Sequence, residues 1–236
     1  MPVLTISGQA GSRAREIGRL TAQRLQIDYV DQEILVEAAR QLGVPVESVV
    51  SLDERAASRG ERLAAMFRRF LERSAAAGAG DPMLGAGGLD IVLGRTYGEA
   101  AAAEGPQEVP DEMYISTLNG IVRELAARGD VVIIGRGSQV SLRDWPGATH
   151  VLLVAPHSYR VELIAQRDGL SAEDATKRVH EGDKGRSSFH QKFFKVSVDD
   201  PALYHLALNS ARFSDEEAAD LIAEVARRVS ATKQPA

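Results

Sequence analysis

The residues after the first apolar segment have a composition and spacing that suit the binding of phosphate. Val3 to Ile6 is an apolar run typical of a strand, and Ser7-Gly8-Gln9-Ala10-Gly11-Ser12 follows it before a helical pattern begins. Glycines let backbone N–H groups converge on phosphate oxygens, and the N-terminus of the helix adds a partial positive charge. Because many α/β proteins need a tight first turn, a purely structural turn is the alternative.

The same segment departs from GxxxxGK[ST], the usual pattern of a loop that binds nucleotide phosphates. Counting from Gly8, Arg13 occupies the place of the second glycine. Ala14 then occupies the place of the lysine, and Arg15 that of the hydroxyl residue. The ammonium group that usually bridges the phosphates is therefore absent. Arg13 or Arg15 could replace its charge, because a guanidinium binds phosphate through two parallel hydrogen bonds; solvation of both side chains is the alternative.

Further arginines lie where a phosphate could be held. Val131 to Ile134 is the clearest buried strand in the sequence, and Arg136 follows it, where ligands bind at the carboxyl ends of parallel strands. Capping of nearby carbonyl groups is the alternative for this residue. Residues 177–195 carry six Lys or Arg against two acidic residues, on a predicted helix end and loop. Arg178 and Arg186 could close over a phosphoryl group and exclude water, although such charge runs are commonly solvated faces.

Two aspartates are candidate contacts to a nucleotide. Asp31 ends a short predicted strand at 27–31, and its carboxylate could accept hydrogen bonds from a sugar or a base. It could equally cap the helix that begins near Gln32. Asp183 lies among the basic residues of the predicted lid, between two glycines, and we include it as a substrate-binding candidate.

Composition narrows the classes of function. The 236 residues are 44% hydrophobic and 26% charged, an ordinary globular balance. The net charge of −5 disfavours a nucleic-acid binder, because affinity for the phosphate backbone needs concentrated positive surface. No apolar run approaches the roughly 20 residues that span a bilayer, and the apolar start is too short for a signal peptide, so we expect a cytoplasmic protein. Zero cysteines and five scattered histidines make thiolate chemistry and a protein-built metal site unexpected.

The order of the predicted elements indicates a core with an insertion. Strand and helix patterns alternate over 1–45 and again over 112–236, which favours a parallel sheet covered by helices on both faces. Residues 46–111 change from helical patterns to a Gly- and Ala-rich stretch at 78–110. We interpret them as a helical and flexible insertion that could bind the acceptor. The lid is expected at about 178–196.

Taken in order, these segments resemble the cytidylate kinase-like family of the P-loop nucleoside-monophosphate kinases. Ile6 to Ile17 looks like the family's first strand, phosphate loop and helix, and Asp28 to Asp31 is similar to its second strand and the acidic entrance to the monophosphate site. Three later parts of the chain are similar to the family's middle, lid and last strand: Val131 to Gly137 with Trp145-Pro146-Gly147-Ala148, Glu181 to Phe194, and Leu208-Asn209-Ser210.

The resemblance implies a three-layer P-loop kinase-like α/β fold with about five parallel strands, in the order 2-3-1-4-5. It also implies transfer of the γ-phosphoryl group of ATP to a nucleoside monophosphate, with CMP or dCMP as the first acceptors to test. The donor phosphates would lie against Gly8, Gln9, Ala10, Gly11, Ser12, Arg13, Ala14 and Arg15, and the acceptor phosphate against Arg136.

Magnesium would be held mainly by phosphates and water, because Ile134 and Gly137 stand where the family carries acidic residues. Outer partners for the ion could be Glu16, Asp28 or Asp31. A catalytically inactive nucleotide-binding module and a kinase of another small molecule are the alternative functions. The sequence leaves the acceptor and the oligomeric state open.

Overall fold

A parallel sheet of five strands lies at the centre of the computed structural model, which describes residues 2–44, 46, 48–50 and 109–232. The strands are β1 (Val3–Gly8), β2 (Asp28–Val30), β3 (Val131–Ile134), β4 (Ala148–Val154) and β5 (Leu206–Asn209). Their order is β2-β3-β1-β4-β5, and each neighbouring pair is parallel. The predicted fold class and strand order are therefore confirmed.

The central strands β1 and β3 are rich in apolar residues because helices cover both faces of the sheet. All four residues of β3 are buried, and the strand runs in register with β1, so that Ile6 lies opposite Ile134. Parallel pairing brings the carboxyl ends of these strands to one edge of the sheet. The segments that follow Gly8 and Ile134 therefore lie side by side. This arrangement is needed if both segments are to contact the same ligand.

Seven α-helices have both ends in the described part of the chain, which also contains short 3-10 helices at Pro201–Leu203 and Ser210–Arg212. The α-helices are α1 (Ala14–Leu25), α2 (Glu33–Leu42), α3 (Asp111–Arg128), α4 (Ser138–Ser141), α5 (His157–Asp168), α6 (Ala172–Phe194) and α7 (Asp215–Thr232). Residues of α1 and α7 share an apolar cluster with Leu4 and Ile6, whereas residues of α2 and α3 share another with Val3. Alternate residues of β1 thus face opposite cores, one on each side of the sheet.

Helix α6 differs from the sequence-based expectation of a helix end and a loop near Gly182 and Gly185. It runs unbroken for 23 residues, from the cap at Ser171, whose Oγ accepts a hydrogen bond from the Asp174 N–H at 3.1 Å. A glycine inside a helix costs about 1 kcal/mol relative to alanine, so the pattern favours a break on local grounds. Packing overrides that preference here: Gly185 is buried, and Gly182 lies against the loop after β1.

The predicted insertion at 46–111 lies almost wholly outside the described residues. Of its parts, the structure places Val49 and Val50 in the core shared with α2 and α3, and Asp111 at the start of α3. In the described ranges, no helix combines the length and the apolarity that crossing a bilayer would require.

Candidate functional site

The segment between β1 and α1, residues 9–13, makes a tight turn that only small residues allow at its base. A Cβ atom on Gly8 would lie 2.5 Å from both the Cβ of Ala14 and the Oγ of Ser12. The Ser12 N–H donates to the Gln9 carbonyl at 3.0 Å, and Gly11 has a φ of +79°, which favours glycine. This phosphate loop, as we call residues 8–15, therefore has the compact form that the glycine spacing predicts.

The buried hydroxyl group of Ser12 makes no hydrogen bond to any described residue. The whole residue is 1% exposed. A buried hydroxyl without a partner costs free energy, which a phosphate oxygen could recover by accepting its proton. The atom lies beside the N-terminus of α1, where the helix dipole favours an anion. The residues present therefore fit a bound phosphate group.

The phosphate loop forms one wall of a cleft of about 460 Å³ at the carboxyl edge of the sheet. The other walls come from the segments after β2 and β3 and from α5 and α6, including Leu163, Gly185 and Phe189. Six arginines and two acidic residues of the described chain line it: Arg13, Arg15, Arg136, Arg167, Arg178 and Arg186 with Glu16 and Asp31. We call this the arginine cleft. Four of these arginines pair with carboxylates that lie outside the lining: Asp168, Asp199 and Asp215. Guanidinium groups are suited to phosphate oxygens, because each can donate two parallel hydrogen bonds.

Arg13 lines the cleft, but its guanidinium contacts the segment between β5 and α7. Its Nη2 donates to the carbonyl oxygens of Ser210 and, at 2.9 Å, of Phe213, while Nη1 lies 2.7 Å from the Asp215 carboxylate. Burial raises the pKa of Asp215, an effect that the Arg13 charge opposes. Arg13 thus joins the phosphate loop to the start of α7. These contacts favour a positioning task over the direct phosphate contact that we expected.

Arg15 and Asp31, both predicted site residues, form an ion pair across the mouth of the cleft. The Arg15 Nε lies 2.8 Å from the Asp31 Oδ2, and the arginine is half exposed, whereas the carboxylate side chain is 13% exposed. Asp31 does not cap α2, because the N-cap residue of that helix is Gln32, without a side-chain hydrogen bond. The pair uses the Nε edge of the guanidinium. Asp31 is therefore placed to orient Arg15, whatever else it binds.

Arg136 follows β3 in a backbone conformation that brings it into the arginine cleft. Its φ is +56°, and the flanking Gly135 and Gly137 have φ values of +67° and +69°. Three successive left-handed residues are rare, and such strain occurs preferentially at functional sites. The ring of Phe194, at the end of α6, occupies the space of a side chain at Gly137. The structure thus packs the end of α6 against the loop that carries Arg136.

The predicted lid segment contributes arginines to the cleft, but its lysines lie elsewhere. Arg186 donates from Nε to the Gly8 carbonyl at 3.1 Å and pairs with Asp199 at 2.7 Å. Arg178 pairs with Asp168 at 3.3 Å. Lys192 instead pairs with Asp111 at 2.7 Å, outside the cleft lining, and Lys184 is exposed. The lysine concentration that suggested a lid therefore says little about the cleft itself.

Asp183 contacts the phosphate loop rather than the open space of the cleft. Its Oδ1 accepts the Ala10 N–H at 3.0 Å, and its Oδ2 pairs with Arg160 at 2.7 Å. Neither side chain is among the described residues that line the cleft. The structure thus gives Asp183 a different contact from the predicted one to substrate.

Two arginines of α5, one beside the cleft and one in its lining, are only weakly indicated by the sequence. Arg160 is 5% exposed and donates to the carbonyls of Ala155 and Ala10, and Arg167 lines the cleft, where a hydrogen bond to Asp168 raises its pKa. Arg160 lies one helical turn before buried Ile164, so an arginine on the apolar stripe of α5 was the available signal. No pattern in the sequence distinguishes Arg167 from a surface arginine.

The acidic residues of the cleft suit a cation that is held chiefly by other ligands. Glu16 and Asp31 are the carboxylates that line it, and the described residues contain no group of three or more side chains of the kinds that bind metals. Magnesium retains several waters and binds through one or two carboxylates plus substrate phosphates. The residues present fit that arrangement and do not build a cage of protein ligands.

Comparison with known proteins gives a consistent family. The model of the cytidylate kinase-like family matches residues 3–212. A cytidylate kinase of Methanopyrus kandleri is 32% identical over 103 residues, covering 40% of this chain and 53% of that protein. A cytidylate kinase of Aeropyrum pernix is 33% identical over 106 residues, covering 44% and 60%. The chain thus spans between half and two thirds of the length of these curated relatives.

Among solved structures, an uncharacterized protein from Eubacterium ventriosum superposes with a TM-score of 0.60 at 14% identity. The match covers 96% of this chain and 99% of that one. At so low an identity the likeness shows a shared fold and nothing about activity.

Proposed function

Because the chain belongs to the cytidylate kinase-like family and the segments after β1, β2 and β3 meet in an arginine cleft, we propose that it transfers the γ-phosphoryl group of ATP to a nucleoside monophosphate. CMP and dCMP are the first acceptors to test. The observation that carries the proposal is the compact phosphate loop, with the buried, unpartnered Ser12 Oγ, at the edge of a cleft lined by guanidinium groups.

In the proposed reaction an oxygen of the acceptor phosphate attacks the γ-phosphorus of ATP. The bond from that phosphorus to the β–γ bridging oxygen breaks, and ADP leaves with the bonding electrons. Such a transfer needs little covalent help from a protein and depends on alignment and charge neutralisation. The arginine cleft would supply both, because its side chains neutralise phosphates without a change of protonation state.

We assign the lysine's task to Arg15 rather than Arg13. Arg13 is engaged by two carbonyl groups and Asp215, whereas Arg15 is half exposed and its Nε lies 2.8 Å from the Asp31 carboxylate. The two Nη groups of Arg15 would then meet the donor phosphates as a fork. Arg136 would hold the acceptor phosphate, and Arg178 would neutralise the phosphoryl group from the side of α6. Arg186, like Arg13, is engaged by protein groups, since its Nε donates to the Gly8 carbonyl and both Nη groups donate to Asp199. It would therefore position the start of the phosphate loop. Magnesium, when bound to the phosphates, supplies further charge neutralisation, with Glu16 or Asp31 as its protein-side partners.

The test is an assay of the purified full chain with ATP, Mg²⁺ and one acceptor at a time. The acceptors are CMP, dCMP, UMP, AMP, GMP and dTMP, and the products are separated by anion exchange so that diphosphates are seen directly. We expect a diphosphate with at least one pyrimidine monophosphate. Absence of a diphosphate with every acceptor, while ATP binding is intact, would contradict the proposal.

A nucleotide-binding module without turnover is the second candidate, and Ala14 at the place of the lysine is the observation that favours it. This candidate predicts that calorimetry detects micromolar binding of ATP or a monophosphate while no diphosphate forms. If ATP binds, hydrolyses slowly and passes no phosphate to a nucleotide, a kinase acting on another small molecule is the function to pursue.

A further inference from the structure

Both backbone polar groups of one phosphate-loop residue, Ala10, are held by side chains from two different helices. The Asp183 Oδ1 on α6 accepts the Ala10 N–H at 3.0 Å. Arg160 on α5 donates from Nη1 to the Ala10 carbonyl at 3.0 Å, and the same nitrogen lies 2.7 Å from the Asp183 Oδ2. We call these three residues the Ala10 clamp. It closes a ring of hydrogen bonds around a single residue of the loop.

Close packing accompanies the clamp on both sides of Ala10. A Cβ atom on Gly182 would lie 2.8 Å from the Ala10 Cβ, and one on Gly11 would lie 3.0 Å from the Arg160 carbonyl oxygen. Glycine at these two positions lets α5 and α6 approach the loop within hydrogen-bond distance. The two helices therefore press directly on the loop backbone.

The charges of the clamp depend on each other. Arg160 is 5% exposed, and its Nε also donates to the Ala155 carbonyl at 2.9 Å. A buried guanidinium is costly unless it is paired, so removal of the Asp183 carboxylate leaves a charge that the site cannot solvate. Asp183 and Arg160 lie outside the set of described residues that line the arginine cleft, although Ala10 lines it. The carboxylate thus supports the loop from behind rather than filling the space of a phosphate.

We propose that Asp183 and Arg160 are positioning residues that hold the phosphate loop in its phosphate-binding conformation before the donor nucleotide arrives. This inference rests on the proposed function for its kinetic consequence, but not for its effect on the loop. A loop whose backbone is already fixed loses less conformational freedom on binding, so the clamp increases affinity for the donor. A carboxylate that instead plugged the site would compete with phosphate, and its removal would tighten binding.

The experiment compares the full chain with Asp183→Ala, the conservative Asp183→Glu and the control Glu181→Gln. Glu181 lies two residues away on α6 and takes no part in the clamp or the cleft lining. The first readout, taken without nucleotide, is hydrogen exchange at the Ala10 amide followed by NMR. We expect exchange to accelerate by about tenfold or more in Asp183→Ala, because the amide loses its acceptor, and to be unchanged in the control.

The second readout is the affinity for a non-hydrolysable ATP analogue by calorimetry. Affinity should fall by about tenfold in Asp183→Ala, recover in part in Asp183→Glu and stay unchanged in Glu181→Gln. In the kinase assay the KM for ATP should rise while the KM for the acceptor stays constant, a selectivity that general destabilisation would not produce. Unchanged Ala10 exchange, or binding as tight as in the parent chain or tighter, would overturn the inference. Hydrogen exchange and analogue binding do not require turnover. They therefore test the clamp even if the kinase assay shows that the proposed activity is absent.

Discussion

Individual arginines in the cleft have different tasks, although the sequence presents them alike. Arg13 and Arg15 lie two positions apart, yet one contacts Ser210, Phe213 and Asp215, and the other Asp31. The direction of each side chain around the first turn of α1 separates them. The sequence could predict that a guanidinium replaces the lysine, but the choice between the two depends on partners some 200 residues further along the chain, at the start of α7.

Replacement of Arg15 by alanine tests its assignment to the donor phosphates. We expect kcat/KM to fall by roughly 100-fold, the usual cost of removing one donor that stabilises transferred charge, with a smaller loss in Arg15→Lys. Arg24→Ala on the same helix, which removes only an exposed pair with Asp220, is the matched control and should leave kcat/KM unchanged. Equal kinetics of Arg15→Ala and the parent chain would reassign the role.

Replacement of Arg13 should act on stability more than on chemistry. In Arg13→Ala the carbonyls of Ser210 and Phe213 lose a charged donor, which costs about 1 to 3 kcal/mol of unfolding free energy. Urea denaturation followed by circular dichroism measures the loss, again with Arg24→Ala as the control. An unfolding free energy unchanged within error, together with a large kinetic defect, would mean that Arg13 serves the phosphates directly.

The partner of Arg13 gives a prediction about pH. Burial raises the pKa of Asp215 in the folded chain above its usual value, so folding favours the protonated carboxyl. The associated stability is complete below the usual carboxyl pKa and is lost as pH rises through the raised folded pKa. Asp215→Asn lacks this loss. Its unfolding free energy relative to the parent chain should therefore increase from acid to neutral pH, and a difference that is constant or decreasing would contradict the shift.

At the scale of elements, α6 has the largest effect on the cleft. It contributes Arg178 and Arg186 to the lining, and its Gly182 touches Ala10. The sequence predicted a break there because two glycines weaken a helix locally. Whether a glycine ends a helix or permits close packing depends on what lies opposite, which is tertiary information. By contrast, helix caps such as Ser171 and Ser214, whose Oγ atoms accept hydrogen bonds from the N–H groups of Asp174 and Glu217, involve only neighbouring residues and can be inferred from local sequence.

A pair of glycine substitutions separates the effect of glycine on helix stability from its effect on close packing. In Gly182→Ala the new Cβ lies 2.8 Å from the Ala10 Cβ, so α6 must move from the loop, and we expect at least about tenfold weaker binding of an ATP analogue. Gly120→Ala in α3 meets nothing within 4 Å and should stabilise the chain by about 0.5 to 1 kcal/mol without affecting binding. Calorimetry and urea denaturation give the two numbers. Unaltered binding in Gly182→Ala would mean that the contact is not needed.

At the scale of the whole molecule, the sheet determines where the site can form. The strand order and the meeting of the loops after β1 and β3 were predictable, because apolar runs, parallel connections and the family resemblance agree. The Ala10 clamp was not, since Asp183 and Ala10 are 173 positions apart and no periodicity links them. Long-range polar contacts of this kind depend on the assembled fold. They are the part of the site that the structure adds.

The most direct test of the proposed transfer is phosphorus-31 NMR of the full chain mixed with ATP, Mg²⁺ and CMP. We predict that the γ-phosphate resonance of ATP and the phosphate resonance of CMP decline by equal amounts without release of inorganic phosphate, while the terminal β-phosphate signal of ADP and CDP grows by twice that amount. The matched loss of CMP demonstrates transfer from one nucleotide to the other. An ATP spectrum that stays constant, or one that decays only to ADP and inorganic phosphate, would contradict the account.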